Sequence, residues 1–195
     1  ANPGTFEQQR FAQYRIAGVN RLSIGVQSFD DQQLKNLGRI HNAANALDAV
    51  KKSRQAGFHN INIDLMHALP GQTQAEAVQD LQTAIDLAPT HISWYQLTIE
   101  PNTMFARFTP PGLPDNDSMA DMYTTGIELL HKNGFKQYEV SAFAREKKRC
   151  QHNLAYWQYD DYLGIGAGAH SKWHDGVATW VPDRDLAAPH VCFPG

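Results

Sequence analysis

Apolar positions along this chain follow two rhythms that alternate. Leu22, Ile24 and Val26 fall on every second residue between Arg21 and Ser28, the period of a strand. Ala77, Leu81, Ala84, Ile85 and Ala88 fall on one helical stripe, the spacing of a core-facing helix. Read this way, the chain predicts helices over about 5–17, 30–37, 43–56, 73–88 and 116–133, and strands over about 21–28, 60–66, 91–98 and 137–143. Thr5, Asp30, Asn42, Thr73 and Asn116 or Asp117 are the candidate caps, since each can accept from a backbone N–H of the first turn.

The junctions repeat. Ala17-Gly-Val19, Ala56-Gly-Phe58 and Asn133-Gly-Phe135 each place a glycine just past a helix, where a left-handed residue closes the last turn without Cβ strain. Ala88-Pro89 ends its helix differently, because proline cannot continue it. Strands alternating with helices imply parallel βαβ units with right-handed crossovers. The expected class is therefore α/β, as an open doubly wound sheet or an arc of a barrel. No Gly-x-Gly-x-x-Gly follows the first strand, which counts against a dinucleotide fold.

With 195 residues and a net charge of −3, the chain suits one substantial core and gives no electrostatic reason to bind nucleic acid. Arg145-Glu-Lys-Lys-Arg149 is its one basic run and reads as a solvated loop. No apolar run reaches bilayer length and no signal peptide precedes the first helix, so a cytoplasmic protein is expected. Cys150 and Cys192 are the only cysteines, too few for a disulfide scaffold or a four-thiolate metal site; Cys150 reads as a structural thiol. The opening Ala-Asn-Pro-Gly-Thr and the proline-rich stretch from Pro182 to Gly195 suggest a piece of a longer protein with an irregular tail. Three segments are expected: 1–145 with the βα units, 146–181, and 182–195.

Candidate chemistry sits at strand ends, where α/β folds bind ligands. Gln27 can donate and accept there, and bonding to adjacent loop backbone explains it equally well. Arg39, in Gly38-Arg-Ile-His41, could clamp a carboxylate, although an isolated arginine is ordinarily surface. Asp64 interrupts Ile61, Ile63, Leu65 and Met66; a buried carboxylate is costly unless bonded, so it is expected to point into a polar site. Gln96 and Thr98 reach the edge before Glu100-Pro101. His67 reads as a loop histidine. Gly164-Ile-Gly-Ala-Gly-Ala169 lacks the Lys-Ser/Thr of a P-loop and reads as tight backbone. Gln151-His-Asn-Leu-Ala-Tyr-Trp157 brings an imidazole, an amide and two aromatics together, with Tyr159 and Tyr162 beyond. His152 could ligate haem iron, but spacing alone favours a histidine packed at a helix start.

In this order, Arg21–Phe29, Gly38–His41, Asp64–Pro70, Ser93–Pro101, His152–Trp157 and Asp161–Gly166 resemble the HemN/HemW branch of the radical S-adenosylmethionine (SAM) proteins, from Ala1 to about Lys172. Tyr95-Gln-Leu-Thr-Ile-Glu-Pro-Asn-Thr103 and His152-Asn-x-x-Tyr-Trp157 are similar to its haem-chaperone members. The resemblance implies a partial TIM-like (β/α) barrel of parallel strands with outer helices. It implies SAM contacts at Gln27, Arg39 and Asp64, with Thr98 a looser match. It implies haem binding at His152, Asn153, Tyr156 and Trp157, with His152 the iron ligand, and a 4Fe–4S cluster as further cofactor. The family's Cys-x-x-x-Cys-x-x-Cys loop, which holds that cluster, does not occur in this sequence. The expected function is haem binding and delivery to recipient haemoproteins, respiratory and membrane-associated ones among them, with a homodimer as candidate assembly. The alternatives are oxygen-independent coproporphyrinogen III oxidation by radical chemistry and an inactive barrel fragment.

Overall fold

The computed structural model describes residues 1–3, 10–164, 171–174, 179–182 and 189–192. The chain forms two compact units, Ala1–Lys148 and Arg149–Gly195.

The first unit runs α1 (Phe11–Ile16), β1 (Arg21–Gln27), α2 (Asp31–Asn36), α3 (Ala43–Gln55), β2 (Asn60–His67), α4 (Gln74–Asp86), β3 (His91–Gln96), α5 (Met104–Arg107), α6 (Asn116–Lys132), β4 (Lys136–Gln137) and β5 (Ala142–Ala144). These strands make one open sheet in the order β1-β2-β3-β5-β4. β1, β2 and β3 are parallel, while β5 lies antiparallel to both β3 and β4. The parallel arc matches the expected βα units. The fourth strand, expected over 137–143, is instead a hairpin. Tyr138 N–H bonds back to Ala142 O at 3.1 Å and Ser141 N–H to Glu139 Oε1 at 2.8 Å, so the chain turns before it can extend.

Helix starts follow their caps. Asp30, Asn42 and Thr73 each accept from the third backbone N–H of their helix, and Asn42 and Thr73 complete reciprocal capping boxes. The cap of α6 is Asp115, one residue before the expected pair. Its exposed carboxyl sits below the usual range because Ser118 N–H bonds it. Thr5 and the expected start of the first helix lie outside the described residues, as does most of the glycine run after Gly164. Gly18, Gly57 and Gly134 all take positive φ, as their junctions require. β1 and β3 stop at Gln27 and Gln96, which leaves Thr98 in the loop beyond β3.

One face of the sheet carries the core. Leu22, Ile24, Val26, Ile61, Ile63, Leu65, Ile92 and Trp94 pack with Ala46, Ala49 and Val50 of α3, Leu81, Ala84 and Ile85 of α4, and Leu130 of α6. Ala88, expected on the α4 stripe, is exposed past the helix end.

The second unit holds α7 (Gln151–Trp157) and an antiparallel sheet of β6 (Trp173–His174), β7 (Thr179–Pro182) and β8 (Pro189–Cys192). The tail expected to be irregular from Pro182 onward therefore contributes a strand, β8, which pairs with β7. Pro182 and Pro189 stand opposite each other at its end, where the missing N–H groups interrupt the ladder least.

Candidate functional site

Parallel strands covered on both sides by apolar layers read as continuous hydrophobic runs. β1, β2 and β3 do not. The face turned away from the helices carries Arg21, Ser23 and Gly25, then Asn60, Asn62 and Asp64, then His91, Ser93 and Tyr95. Register aligns these into rungs: Ser23, Asn62 and His91 form one, and Gly25, Asp64 and Ser93 the next.

The rungs are wired together through Asn62. Its Nδ2 donates to Ser23 Oγ at 2.6 Å and to Asp64 Oδ1 at 2.7 Å. Its Oδ1 accepts from Ser93 Oγ at 3.1 Å and from His91 Nδ1 at 2.5 Å. Ser23 Oγ in turn donates to Asp64 Oδ2 at 2.8 Å. The network sets the His91 tautomer: with Nδ1 donating, Nε2 accepts from the Tyr138 hydroxyl at 2.6 Å. Burial, and then the Arg21 charge, press the His91 pKa down to about 3, so the ring is neutral, as this wiring demands. Asp64, half-buried, thus has both oxygens engaged and a fixed orientation. Tyr95, the outermost of these residues, has its hydroxyl pushed to higher pKa by burial.

Gln27 closes β1 in an unusual way. Its φ is +71° and the β1–β2 register shifts between Gly25 and Gln27, as at a bulge. A Cβ on Gly25 would lie 2.9 Å from Gln27 Nε2, so the missing side chain lets the Gln27 amide fold back over β1. The residues flanking Gln27 are tied down. The His41 imidazole donates through Nε2 to Val26 O at 3.0 Å. Ser28 Oγ donates to Asp80 Oδ2 at 2.5 Å, Phe29 N–H to Asp80 Oδ1 at 2.8 Å, and Asp30 N–H to Ser28 Oγ at 3.0 Å.

Arg39 is exposed in the loop that His41 anchors to the end of β1. Thr98 is exposed two residues beyond β3. Gln27 and Asp64 therefore belong to one sheet, whereas Arg39 and Thr98 stand on its loops. His67 is no loop residue. It ends β2 buried at 1 % exposure, its ring 4.2 Å from Trp94 and 6.1 Å from Tyr123. Among the described residues neither its Nδ1 nor Trp94 Nε1, both buried, has a hydrogen-bond partner, and burial lowers the His67 pKa to about 4.

In the second unit, α7 carries the histidine–aromatic motif. His152 is exposed and meets the Tyr156 ring edge-on at 4.8 Å, and Tyr156 lies 4.8 Å from Tyr162. Tyr156 and Trp157 are about half exposed and Tyr159 and Leu163 largely so, while Asn153 is half-buried and Cys150 buried. Burial and the contact with Tyr156 push the Tyr162 hydroxyl up. Lys172 stands 5.3 Å from the Tyr159 ring and donates to Tyr159 O.

Reading the sequence residue by residue missed Ser23, Asn62, His91, Tyr138 and Asp80. The signal was present for most of them. Polar residues at alternate positions of three parallel strands mark a polar face, and Asp80 completes the spacing 77, 80, 81, 84 on the buried stripe of α4. Tyr138 carried no such signal, since only the hairpin brings it to β3. Among the described residues no three His, Cys, Asp or Glu side chains converge to hold a metal ion, and no helix is long and apolar enough to cross a membrane.

Comparison with known proteins gives consistent matches. The Radical SAM superfamily model matches residues 1–84. Heme chaperone HemW of Haemophilus influenzae is 56% identical over 172 residues, covering 88% of this chain and 45% of that protein. Heme chaperone HemW of Escherichia coli is 55% identical over 172 residues, with the same coverage of 88% and 45%. The chain thus spans about half the length of the curated relatives it matches. Among solved structures, coproporphyrinogen III oxidase (HemN) from Escherichia coli, described as a radical SAM enzyme, superposes with a TM-score of 0.77 at 23% identity. The match covers 95% of this chain and 45% of that one; at that identity the likeness shows the fold.

Proposed function

The chain belongs to the radical SAM superfamily and, within it, to the HemW type, and on that premise we propose that it serves a haem chaperone, binding haem and handing it to recipient haemoproteins. The observation that carries this reading is the surface of α7. An exposed imidazole, His152, stands against Tyr156, with Trp157 and Tyr159 exposed nearby. A neutral imidazole is an iron ligand, and a porphyrin plane gains from stacking on aromatic rings. In this reading His152 holds the haem iron, Tyr156 and Trp157 pack on the macrocycle, and Asn153 steadies the helix start. Haem is the cargo and takes part in no reaction here.

SAM is the second proposed ligand, held at the sheet. Gln27 and Asp64 would meet its polar groups, and Arg39 and Thr98 would reach it from the loops. The fit rests on Gly25, whose missing Cβ leaves the room in which the Gln27 amide lies over the strand end, and on the fixed Asp64 carboxylate beside it in the rungs. When bound, SAM would supply a sulfonium whose carbon–sulfur bond breaks on one-electron reduction to leave methionine and a carbon-centred radical. That cleavage takes an electron from a 4Fe–4S cluster, and the residues present do not fit one. Two cysteines far apart in sequence cannot supply the three thiolates that such a cluster needs.

A haem titration followed in the Soret band tests the reading, run beside His152→Ala. Saturable binding that weakens at least about tenfold in the variant, the scale of one lost strong ligand interaction, supports it. Equal spectra for the two proteins would remove His152 as the ligand and the chaperone reading with it.

A further inference from the structure

We propose that Asp80, on the helix that follows β2, is a positioning residue that holds Gln27 in its ligand-facing conformation. The inference rests on the SAM reading of the sheet's end, and deepens it.

The argument starts from strain. Gln27 is not glycine, yet its φ is +71°, a left-handed value that costs an L-residue energy unless the surroundings over-determine it. Upstream, pairing with β2 and the His41–Val26 bond hold the strand. Downstream, nothing in β1 does, because the strand has ended. Asp80 fills that role from a different element. Its carboxylate takes both the Ser28 hydroxyl and the Phe29 N–H, at 2.5 and 2.8 Å. Ser28 Oγ, thus aimed, accepts from Asp30 N–H, and Asp30 caps α2. One carboxylate therefore fixes the two residues after Gln27 and, through Ser28, the start of the next helix.

A carboxylate on the buried stripe of a helix is expensive where an apolar side chain would pack. Asp80 is only 6% exposed and Ser28 fully buried, so these bonds are made away from competing water. Both donors call for an ionised acceptor. Burial pushes the Asp80 pKa up to about 6, partly opposed by the Ser28 and Phe29 bonds. The charged groups facing it are Asp30, from the loop, and Glu76, one turn earlier on α4, and both raise it further. Acidification thus weakens the hold on the loop within an accessible range.

The test uses the whole chain, with Asp80→Asn, Asp80→Ala and Ser28→Ala, each checked for a cooperative melt. The first readout is the backbone and side-chain amide resonances of Gln27 between pH 5 and 8, without ligand. In the parent they should shift with a midpoint near pH 6. In Asp80→Asn, which keeps Asp30 and Glu76, that shift should vanish; its persistence overturns the proposal. The second readout is SAM affinity by calorimetry at pH 7.5, with Gln27→Ala as reference. Asp80→Ala and Ser28→Ala should each bind about tenfold more weakly, the scale of a lost charged hydrogen bond, and Asp80→Asn, which retains an acceptor for Phe29, should lose less. Unchanged affinity in Asp80→Ala also overturns it. A parent chain that binds no SAM overturns the SAM reading alone, and the Gln27 titration still decides the role of Asp80. If Asp80→Ala does not fold, Ser28→Ala carries the affinity comparison.

Discussion

His67 is a residue whose chemistry and packing pull in opposite directions. Its ring packs with Trp94 and the half-buried Tyr123, with ring centroids 4.2 to 6.2 Å apart, yet its buried Nδ1 has no partner among the described residues. The pKa lowered to about 4 by burial has a definite sign in stability. Between pH 6.5 and 4 the unfolded chain binds a proton at this histidine and the folded chain does not, so stability falls as pH falls. His91, lowered to about 3, acts in the same direction. Asp80, raised to about 6, acts in the opposite one: there the folded chain holds the extra proton, and stability rises as pH falls from 6 towards 4. Two histidines against one carboxylate leave a net loss in acid. Replacing His67 by Phe keeps the stacking and removes the orphaned nitrogen. Urea melts at pH 7 and pH 5 should show His67→Phe losing about 1–2 kcal/mol less than the parent over that interval. An identical loss in both would show that His67 is not kept neutral by the fold.

At the scale of elements, the sequence declares what depends on neighbours along the chain and conceals what depends on neighbours across it. The caps at Asp30, Asn42 and Thr73, and the glycine junctions, are local hydrogen-bond and backbone problems with local solutions. They were legible, as were the three parallel strands. The break between β4 and β5 was not, because Tyr-Glu-Val-Ser holds no turn dipeptide; the fold back is set by pairing of Ala142–Ala144 with β3. The candidate site divides in the same way. Gln27 and Asp64 stand out as polar residues in apolar runs. Asn62, His91 and Tyr138 acquire meaning only when three strands and a hairpin meet. The approach of α6 to β3 is equally non-local, and rests on one glycine. A Cβ at Gly126 would lie 1.8 Å from the Trp94 ring, closer than any real contact, and Trp94 is buried among His67 and Tyr123. Gly→Ala in mid-helix ordinarily stabilises by up to about 1 kcal/mol. Here Gly126→Ala must move α6 off the sheet or turn Trp94 from its rotamer, and is expected to cost about 3 kcal/mol. Equilibrium unfolding by urea would measure it, and a neutral or stabilising result would mean the helix sits further from β3 than described.

The whole molecule is organised as two units joined through a short basic stretch, and this has an experimental consequence. Ala1–Lys148 contains the five-stranded sheet and every described side chain of the main hydrophobic cluster, so it is expected to hold together by itself. The last sheet residue is Ala144, and Arg145 is held by bonds to Pro89 O and Asn133 O and by the Phe135 ring 4.4 Å away. Beyond it, Glu146, Lys147, Lys148 and Arg149 are exposed, and Lys147 takes a φ of +59°. Exposed loop backbone of this kind is where proteases cut native chains. Trypsin under native conditions should therefore cleave first after Lys147, Lys148 or Arg149, before the arginines and lysines of α3, whose backbone is hydrogen-bonded in a helix packed on the core. The larger product, isolated, should keep a cooperative thermal transition, because its core is intact. It should also keep the Gln27 resonance shift near pH 6, since Gln27, Ser28, His41 and Asp80 all lie within it, and lose the haem-dependent Soret change, since His152 does not. Intact mass of the first-formed product identifies the cut. A first cut within α3, or a large product that melts without cooperativity, would show that the sheet depends on the second unit after all. Retention of the Soret change by that product would place haem binding on the sheet and not on α7.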